Sequence, residues 1–263
     1  MCCKVALKEE KGKILSNQAL GRNLYLMRIE SPILASQVQP GQFVHTQVSG
    51  MESHILRRPF SIYDTQPQTG TMDILYQNVG FGTNHIASLP AGCEVSNIGP
   101  IGNGWKAPAS CKRALLVCGG VGAAPLFMHC RELVKAGVSV DVVLGAQTAE
   151  AMVADKRYAE VLGHEPVIAT DDGSLGYSGF CTGPAQELID ENEYDYIACC
   201  GPQPLMRIIA QMAKQAGIFC QVSMERRMAC GVGACLSCVI DTVSGKQRCC
   251  VDGPVFDAEE VIW

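Results

Sequence analysis

The sequence predicts three parts in series: an antiparallel β-barrel, a doubly wound parallel sheet with crossover helices, and a small C-terminal segment organised by cysteines. Three observations carry this. Up to about residue 107, short apolar runs are punctuated by turn residues roughly every eight to twelve positions, the pattern of an antiparallel barrel. From about residue 111, strand-like runs alternate with amphipathic helical ones, as a parallel sheet requires. Cys230, Cys235 and Cys238 then fall in a C-x4-C-x2-C spacing, with further thiols at Cys249 and Cys250. The boundaries read 1–107, 108–223 and 224–263, and 263 residues suffice for two ordinary domains and an appendage.

In the first part strands are expected over 12–16, 23–29, 42–48, 59–63 and 72–79, separated by Gly21, Pro40-Gly41, the polar stretch 64–70 and Gly80-Phe81-Gly82. A short helix over 83–89 is stopped by Pro90. In the second part strands are expected over 113–118, 139–144, 166–170, 194–199 and 219–223, with helices over 126–136, 149–162, 183–191 and 204–216. Residues 238–250 read as a hairpin turning at Ser244-Gly245. The terminal Trp263 is expected to pack on its own domain.

Composition excludes some functions. Nearly half of the residues are hydrophobic, and the net charge of −5 comes without Lys/Arg runs, which argues against a nucleic-acid or anionic-membrane surface and for small molecules or proteins as partners. No apolar run reaches about eighteen residues and the N-terminus, MCCKVALKEEKGK, is charged, so a cytoplasmic location is expected. Of the fifteen cysteines, Cys118, Cys130, Cys199 and Cys220 sit inside apolar runs and read as small core residues of a reducing compartment.

The C-terminal thiols carry the sharpest chemistry. The spacing of Cys230, Cys235 and Cys238 is that of a plant-type iron–sulfur cluster. Gly231 and Gly233 let the loop turn tightly and aim backbone N–H groups at sulfur. Either Cys249 or Cys250 supplies the fourth thiolate. A zinc site would show two C-x2-C pairs, and the x4 gap with two glycines departs from that.

Two further regions suit phosphate-bearing cofactors. Arg58-Pro59-Phe60-Ser61 offers a bidentate cation on a stiffened strand, fit for a pyrophosphate or a flavin edge. Leu75-Tyr76-Gln77 ends a strand, and Gly82 and Thr83 place N–H groups and a hydroxyl at a helix start. In the second part, Gly119, Gly120 and Gly122 open a helix and suit a pyrophosphate, although they do not form the G-x-G-x-x-G fingerprint. Asp171 and Asp172 would favour ribose hydroxyls over a 2′-phosphate, hence NAD over NADP. Cys200-Gly201-Pro202 puts a thiol at another strand tip.

The order R-P-F-S, G-F-G-T, G-G-V-G-A-A-P and C-G-P-Q-P resembles the ferredoxin-NADP reductase superfamily over about 220 residues. Arg-Arg-Met-Ala-Cys-Gly-Val-Gly-Ala-Cys-Leu-Ser-Cys and Cys-Val-Asp-Gly-Pro-Val-Phe narrow this to a resemblance to the electron-transfer subunits of dihydroorotate dehydrogenase B, over the whole chain. The resemblance implies FAD on Arg58, Pro59, Phe60, Ser61, Leu75, Tyr76, Gln77, Gly82 and Thr83. It also implies a 2Fe-2S cluster on Cys230, Cys235, Cys238 and Cys250; the last ligand stands two residues before Asp-Gly-Pro, which selects Cys250 over Cys249. NAD is expected on Gly119, Gly120, Gly122, Asp171, Asp172, Cys200, Gly201 and Pro202. Phe60 departs from the wider superfamily, where a Tyr often bonds the flavin. No side chain is expected to act in proton transfer.

The resemblance further implies an FMN-bearing catalytic partner that oxidises dihydroorotate in pyrimidine biosynthesis, in a 2+2 heterotetramer. The rivals are the small subunit of a ferredoxin-dependent NADPH or sulfide oxidoreductase, where an Asp commonly replaces the first cluster Cys, and a stand-alone NADH-ferredoxin reductase. A redox sensor or zinc-stabilised module is a rival of another class.

Overall fold

The computed structural model describes residues 7–48, 50 and 54–263, so Cys2 and Cys3 lie outside the described residues. Seven antiparallel strands form the first sheet: β1 Lys8–Gly21, β2 Leu24–Glu30, β3 Phe43–Val48, β4 Arg58–Ser61, β5 Asp64–Gln66, β6 Thr71–Gln77 and β7 Glu94–Ile101. Their order is β4-β3-β7-β1-β2-β6-β5. The two edge strands, β4 and β5, are joined only by Ile62 and Tyr63, so Ser61 and Asp64 can stand at most about 11 Å apart, whereas seven strands laid flat would hold their edges about 29 Å apart. The sheet must therefore curl until its edges meet, which makes it a barrel. Ile14, Met27, Ile29, Val44, Phe60, Ile74 and Tyr76 fill its interior.

Three elements of this part escape a local reading, each for a physical reason. α1 (Pro32–Gln37) has no local side-chain cap. Its first N–H groups, on Ile33 and Leu34, instead donate to the Glu10 carboxylate on β1 at 3.0 and 2.9 Å. β7 carries Gly99 and Pro100, which speak against a strand in sequence; the β3–β7 register breaks between Phe43 and His45, opposite them, so the missing N–H falls in a bulge. β5 lies within the polar stretch 64–70, its Asp64 buried by ion pairs from elsewhere in the chain. β1 also runs longer than expected, through Asn17 and Gln18 to Gly21. α2 (Phe81–Ala87) forms nearly where expected.

The second sheet has the order β11-β10-β9-β8-β12-β13-β16. Its strands are β8 Arg113–Gly119, β9 Ser139–Ala146, β10 Val167–Thr170, β11 Tyr177–Ser178, β12 Tyr196–Cys200, β13 Phe219–Ser223 and β16 Val255–Asp257. The first six are parallel, linked by α3 Ala123–Lys135, α4 Asp155–Leu162, α5 Thr182–Glu191 and α6 Gln203–Ala216. The helix expected over 149–162 is in fact a 3-10 turn, Ala149–Ala151, followed by α4. β16 comes from the C-terminal segment and pairs antiparallel with β13, so the cysteine segment is stitched into the edge of the sheet. The hairpin β14 (Val239–Thr242) and β15 (Gly245–Arg248) turns at Val243-Ser244, one residue earlier than expected, because Thr242 pairs with Gly245. Trp263 packs against the core shared by the sheet and this segment. Among the described residues, no helix is long and apolar enough to cross a membrane.

Barrel and sheet are clamped by buried charge. Asp73 on β6 takes a bidentate pair from Arg28 at 2.7 and 2.8 Å and a third contact from Arg157 of α4 at 3.4 Å. Asp64 on β5 binds Arg157 at 2.6 Å and is paired to Arg131 of α3. The Arg157 guanidinium lies 4.6 Å from the Tyr63 ring centre and 4.7 Å from that of Phe127. Removing one member leaves charges buried without partners. Asp64→Ala should therefore destabilise the chain by about 3 kcal/mol, and chemical denaturation checks it.

Candidate functional site

The strand order of the second sheet reverses between β8 and β12: the chain leaves β8 for β9 on one side and later returns to β12 on the other. Ligands of doubly wound sheets bind beyond the strand C-termini at such a point. Gly119 and Gly122 follow β8, and Cys200, Gly201 and Pro202 follow β12. The two loops touch. A β-carbon on Gly122 would stand 2.3 Å from the Cys200 carbonyl oxygen, and one on Gly119 would stand 2.9 Å from Pro202 Cδ. Glycine is needed at Gly122 because backbone meets backbone there, and at Gly119 because the Leu205 and Pro202 side chains close over it. The two contacting loops form one glycine-rich notch, with Gly120 exposed at its rim.

Cys200 lies in this notch with its Sγ 3.8 Å from the Ser223 carbonyl oxygen. Burial, and next the Glu225 charge, push its thiol up to about 12, so it is neutral near pH 7. Asp171 and Asp172 sit apart from the notch, at the end of β10, with β9 between β10 and β8. Both are exposed. Asp172 accepts bonds from Ser174 Oγ at 2.6 Å and Ser174 N at 3.0 Å, which hold its carboxyl below the usual range.

The barrel motif faces the same cleft. Along β6, Met72, Ile74 and Tyr76 point into the barrel, while Leu75 points the other way and lines a cleft with Gly120 and Val121. Gln77, at the strand's end, is exposed. On β4, Phe60 is buried against Tyr76, ring centres 5.4 Å apart, and the Tyr76 hydroxyl donates to Asn17 Oδ1 at 3.0 Å. The Phe60 ring thus belongs to the barrel core, leaving half-buried Arg58, Pro59 and Ser61 as the surface this strand offers. The Arg58 guanidinium lies on Gly82, where a β-carbon would meet Nε at 2.3 Å, and its Nη1 donates to the His54 carbonyl at 3.2 Å. Thr83 does not present a spare hydroxyl: its Oγ1 accepts the N–H groups of Val79 at 2.9 Å and Gly80 at 3.1 Å and so pins the turn before α2.

The C-terminal thiols gather in two pairs. Cys230 Sγ accepts N–H bonds from Val232 and Cys235, each at 3.4 Å. Cys238 Sγ and Cys250 Sγ are 3.3 Å apart. Among the described residues, no three His, Cys, Asp or Glu converge as one metal ion requires. Two pairs suit a two-iron core with two thiolates on each iron. Cys249 instead donates its N–H to the Cys238 carbonyl at 3.0 Å and is itself fully buried, which leaves Cys250 facing Cys238. Gly231 and Gly233 both take positive φ, 68° and 84°, as the tight turn demands. Arg248 Nη1 donates to the Gly233 carbonyl at 3.3 Å and its Nε bonds Asp252, tying the loop of the first pair to the turn of the second.

A family profile described as the iron-sulfur cluster binding domain of dihydroorotate dehydrogenase B matches residues 225–262. "Dihydroorotate dehydrogenase B (NAD(+)), electron transfer subunit" of Geobacillus sp. (strain WCH70) is 35% identical over 263 residues, covering 97% of this chain and 99% of the relative. The chain belongs to this family of electron-transfer subunits. The subunit of Desulforamulus reducens is 36% identical, covering 95% and 97% of the two chains. Among solved structures, the NADH-dependent reduced ferredoxin-NADP oxidoreductase matches with a TM-score of 0.88 and 28% identity, over 96% of this chain and 90% of that one. Phthalate dioxygenase reductase, at 16% identity and a TM-score of 0.65, covers 90% and 87% and shares the fold.

Sequence reasoning missed one residue of this electron-transfer subunit. His45 on β3 is wholly buried, with its ring against Gly231. Its signal was faint, a lone His in an apolar strand. Burial holds its pKa below the ordinary value.

The thiols differ sharply in acidity. Bonds from Ser237, and next from Cys230, lower exposed Cys235 to about 6, while burial pushes Cys250 up to about 12. In chain stripped of iron and sulfide, Cys235 should be the fastest of the four to react with iodoacetamide at neutral pH. Its rate should climb through about pH 6 and level off above, where an ordinary thiol is still climbing. Peptide mapping against pH checks this.

Proposed function

We propose that this electron-transfer subunit takes electrons from a dihydroorotate-oxidising, FMN-bearing partner and delivers them to NAD+. In this reading Cys230, Cys235, Cys238 and Cys250 hold a 2Fe-2S cluster. Arg58, Pro59, Phe60, Ser61, Leu75, Tyr76, Gln77, Gly82 and Thr83 form the FAD site, Phe60, Tyr76 and Thr83 by shaping it from within. Gly119, Gly120, Gly122, Cys200, Gly201 and Pro202 receive NAD, with Asp171 and Asp172 further along the sheet as the acidic determinant. When bound, a cluster exchanges electrons singly and a flavin singly or in pairs, which links one-electron and hydride chemistry.

The observation that carries the reading is contiguity. Cys230-Gly231 rests on His45 of β3, β3 pairs with the Arg58–Ser61 strand, and Leu75 of β6 meets Gly120-Val121 at the switch point. The chain's own residues bind, orient and fix spacing: Arg58 supplies a cation, the glycine notch supplies N–H groups, and the Val232 and Cys235 amides point at the Cys230 sulfur. The donor set fits. The thiols pair, the cluster-loop glycines are required by φ, and the loops after β8 and β12 approach too closely for β-carbons at Gly119 and Gly122. The parts follow the divisions 1–107 for FAD, 108–223 for NAD and 224–263 for the cluster. Two copies with two catalytic subunits, in the cytoplasm, complete the proposal.

An anaerobic NADH titration of the purified chain, followed by visible absorption, should bleach a flavin band and a broader cluster band together. Flavin bleaching with no cluster signal would sink this assignment. Gly122→Ala should weaken NADH binding at least tenfold, about 1.4 kcal/mol, with flavin content unchanged, because a β-carbon forces the Cys200 carbonyl out of place. Equilibrium titration of the variant measures it.

A further inference from the structure

We infer that His45 is a positioning residue that ties the first cluster ligand to the flavin strand, and that its ring N–H raises the electron affinity of the cluster held there. The inference rests on the cluster role of Cys230 proposed above. His45 stands on β3 directly opposite Pro59 of the Arg58–Ser61 strand. It is 0% exposed. On its far side a β-carbon on Gly231 would lie 2.6 Å from Nδ1 and 3.2 Å from Cγ, so the ring fills the place where any other residue would carry a side chain. The ring nitrogens face the backbone of Arg57 on one side and of Cys230 on the other. Neither makes a well-formed hydrogen bond.

A buried imidazole whose nitrogens face backbone acceptors without a well-formed hydrogen bond needs an explanation, and a contact to the Cys230 side that tightens when the loop holds its ligand is one. The charged groups acting on this ring are Arg57 and Arg58. A neutral imidazole has one N–H to give. Directed at the Cys230 side, that N–H stabilises negative charge on the ligand loop, and an added electron increases such charge. Removing the donor while keeping the ring's bulk should therefore make the cluster harder to reduce. The spacing between the sites should change little.

The test compares His45→Phe, which keeps the bulk without nitrogen, with His45→Gln, which restores an N–H, in the full chain copurified with its partner. An EPR-monitored redox titration reads the cluster, and absorbance reads flavin content. In His45→Phe the ratio of reduced to oxidised cluster at a fixed poise should fall about tenfold, equivalent to about 59 mV for a one-electron couple, with flavin retained. His45→Gln should recover most of it. Cluster loss in His45→Phe with retention in His45→Gln supports the same role. An unchanged potential in His45→Phe overturns the inference, and so do equal shifts or equal cluster loss in both variants, since shape rather than the donor would then matter. A native chain lacking any cluster signal overturns the cluster assignment, and the role of His45 falls with it.

Discussion

Two carboxylates, Asp64 and Asp73, determine how the barrel meets the sheet. Both are nearly fully buried, and between them they engage Arg28 from the barrel and Arg131 and Arg157 from two helices of the sheet layer. A buried ion network contributes little net stability over a hydrophobic replacement, but its geometry is unforgiving. An apolar interface would tolerate a slide; a carboxylate held by two guanidinium groups does not. Because Asp73 and Leu75 lie on the same face of β6, fixing the first fixes the second against Gly120-Val121. The register of one strand thus carries the ion clamp and the edge of the cleft together.

A second fixed contact lies on the other side of the barrel. Phe43 and Ile101 share a core with Cys238, Ile240, Cys249, Cys250 and Phe256, so the thiol segment packs on the β3–β7 face and not on solvent-exposed loops. β16 then joins it to β13. The C-terminal segment is anchored to barrel and sheet at once, which explains how so short a piece, with a single two-stranded hairpin of its own, keeps a defined shape.

Much of this was legible in the sequence because it is local. The thiol spacing, the glycine loop after a buried strand and the alternation of strands and helices are all set within a few residues. What escaped depends on partners far away. α1 is capped by Glu10 from another strand, β5 is held by arginines some 67 and 93 positions further on, and β7 tolerates Gly99-Pro100 only because β3 opens a bulge. The site divides the same way. The sequence displays residue types, yet which atoms they spend internally was not visible: Thr83 closes its own turn, Phe60 fills the barrel, and Asp172 bonds Ser174. His45 left only a faint signal, since its meaning comes from Gly231, which is 186 positions away in the chain.

The cysteines show how placement separates thiols for chemistry from thiols for packing. Cys118 and Cys199 are held well above the ordinary range, and Cys130 and Cys220 at about 12, in each case chiefly by desolvation within the sheet and its helices. At neutral pH these stay protonated and poor as nucleophiles. They act as small apolar side chains between strands and helices, where a bulkier residue would overpack. In the 230–238 loop, by contrast, Cys230 accepts amide bonds and exposed Cys235 is bonded with Ser237, and these contacts lower the Cys235 thiol to about 6. Burial alone does not separate the packing thiols from the proposed ligands, since burial also pushes Cys250 up to about 12; what sets Cys250 apart is its place facing Cys238, with the two sulfurs 3.3 Å apart. The discrimination lies in where each thiol stands and what faces it, and not in the residue type.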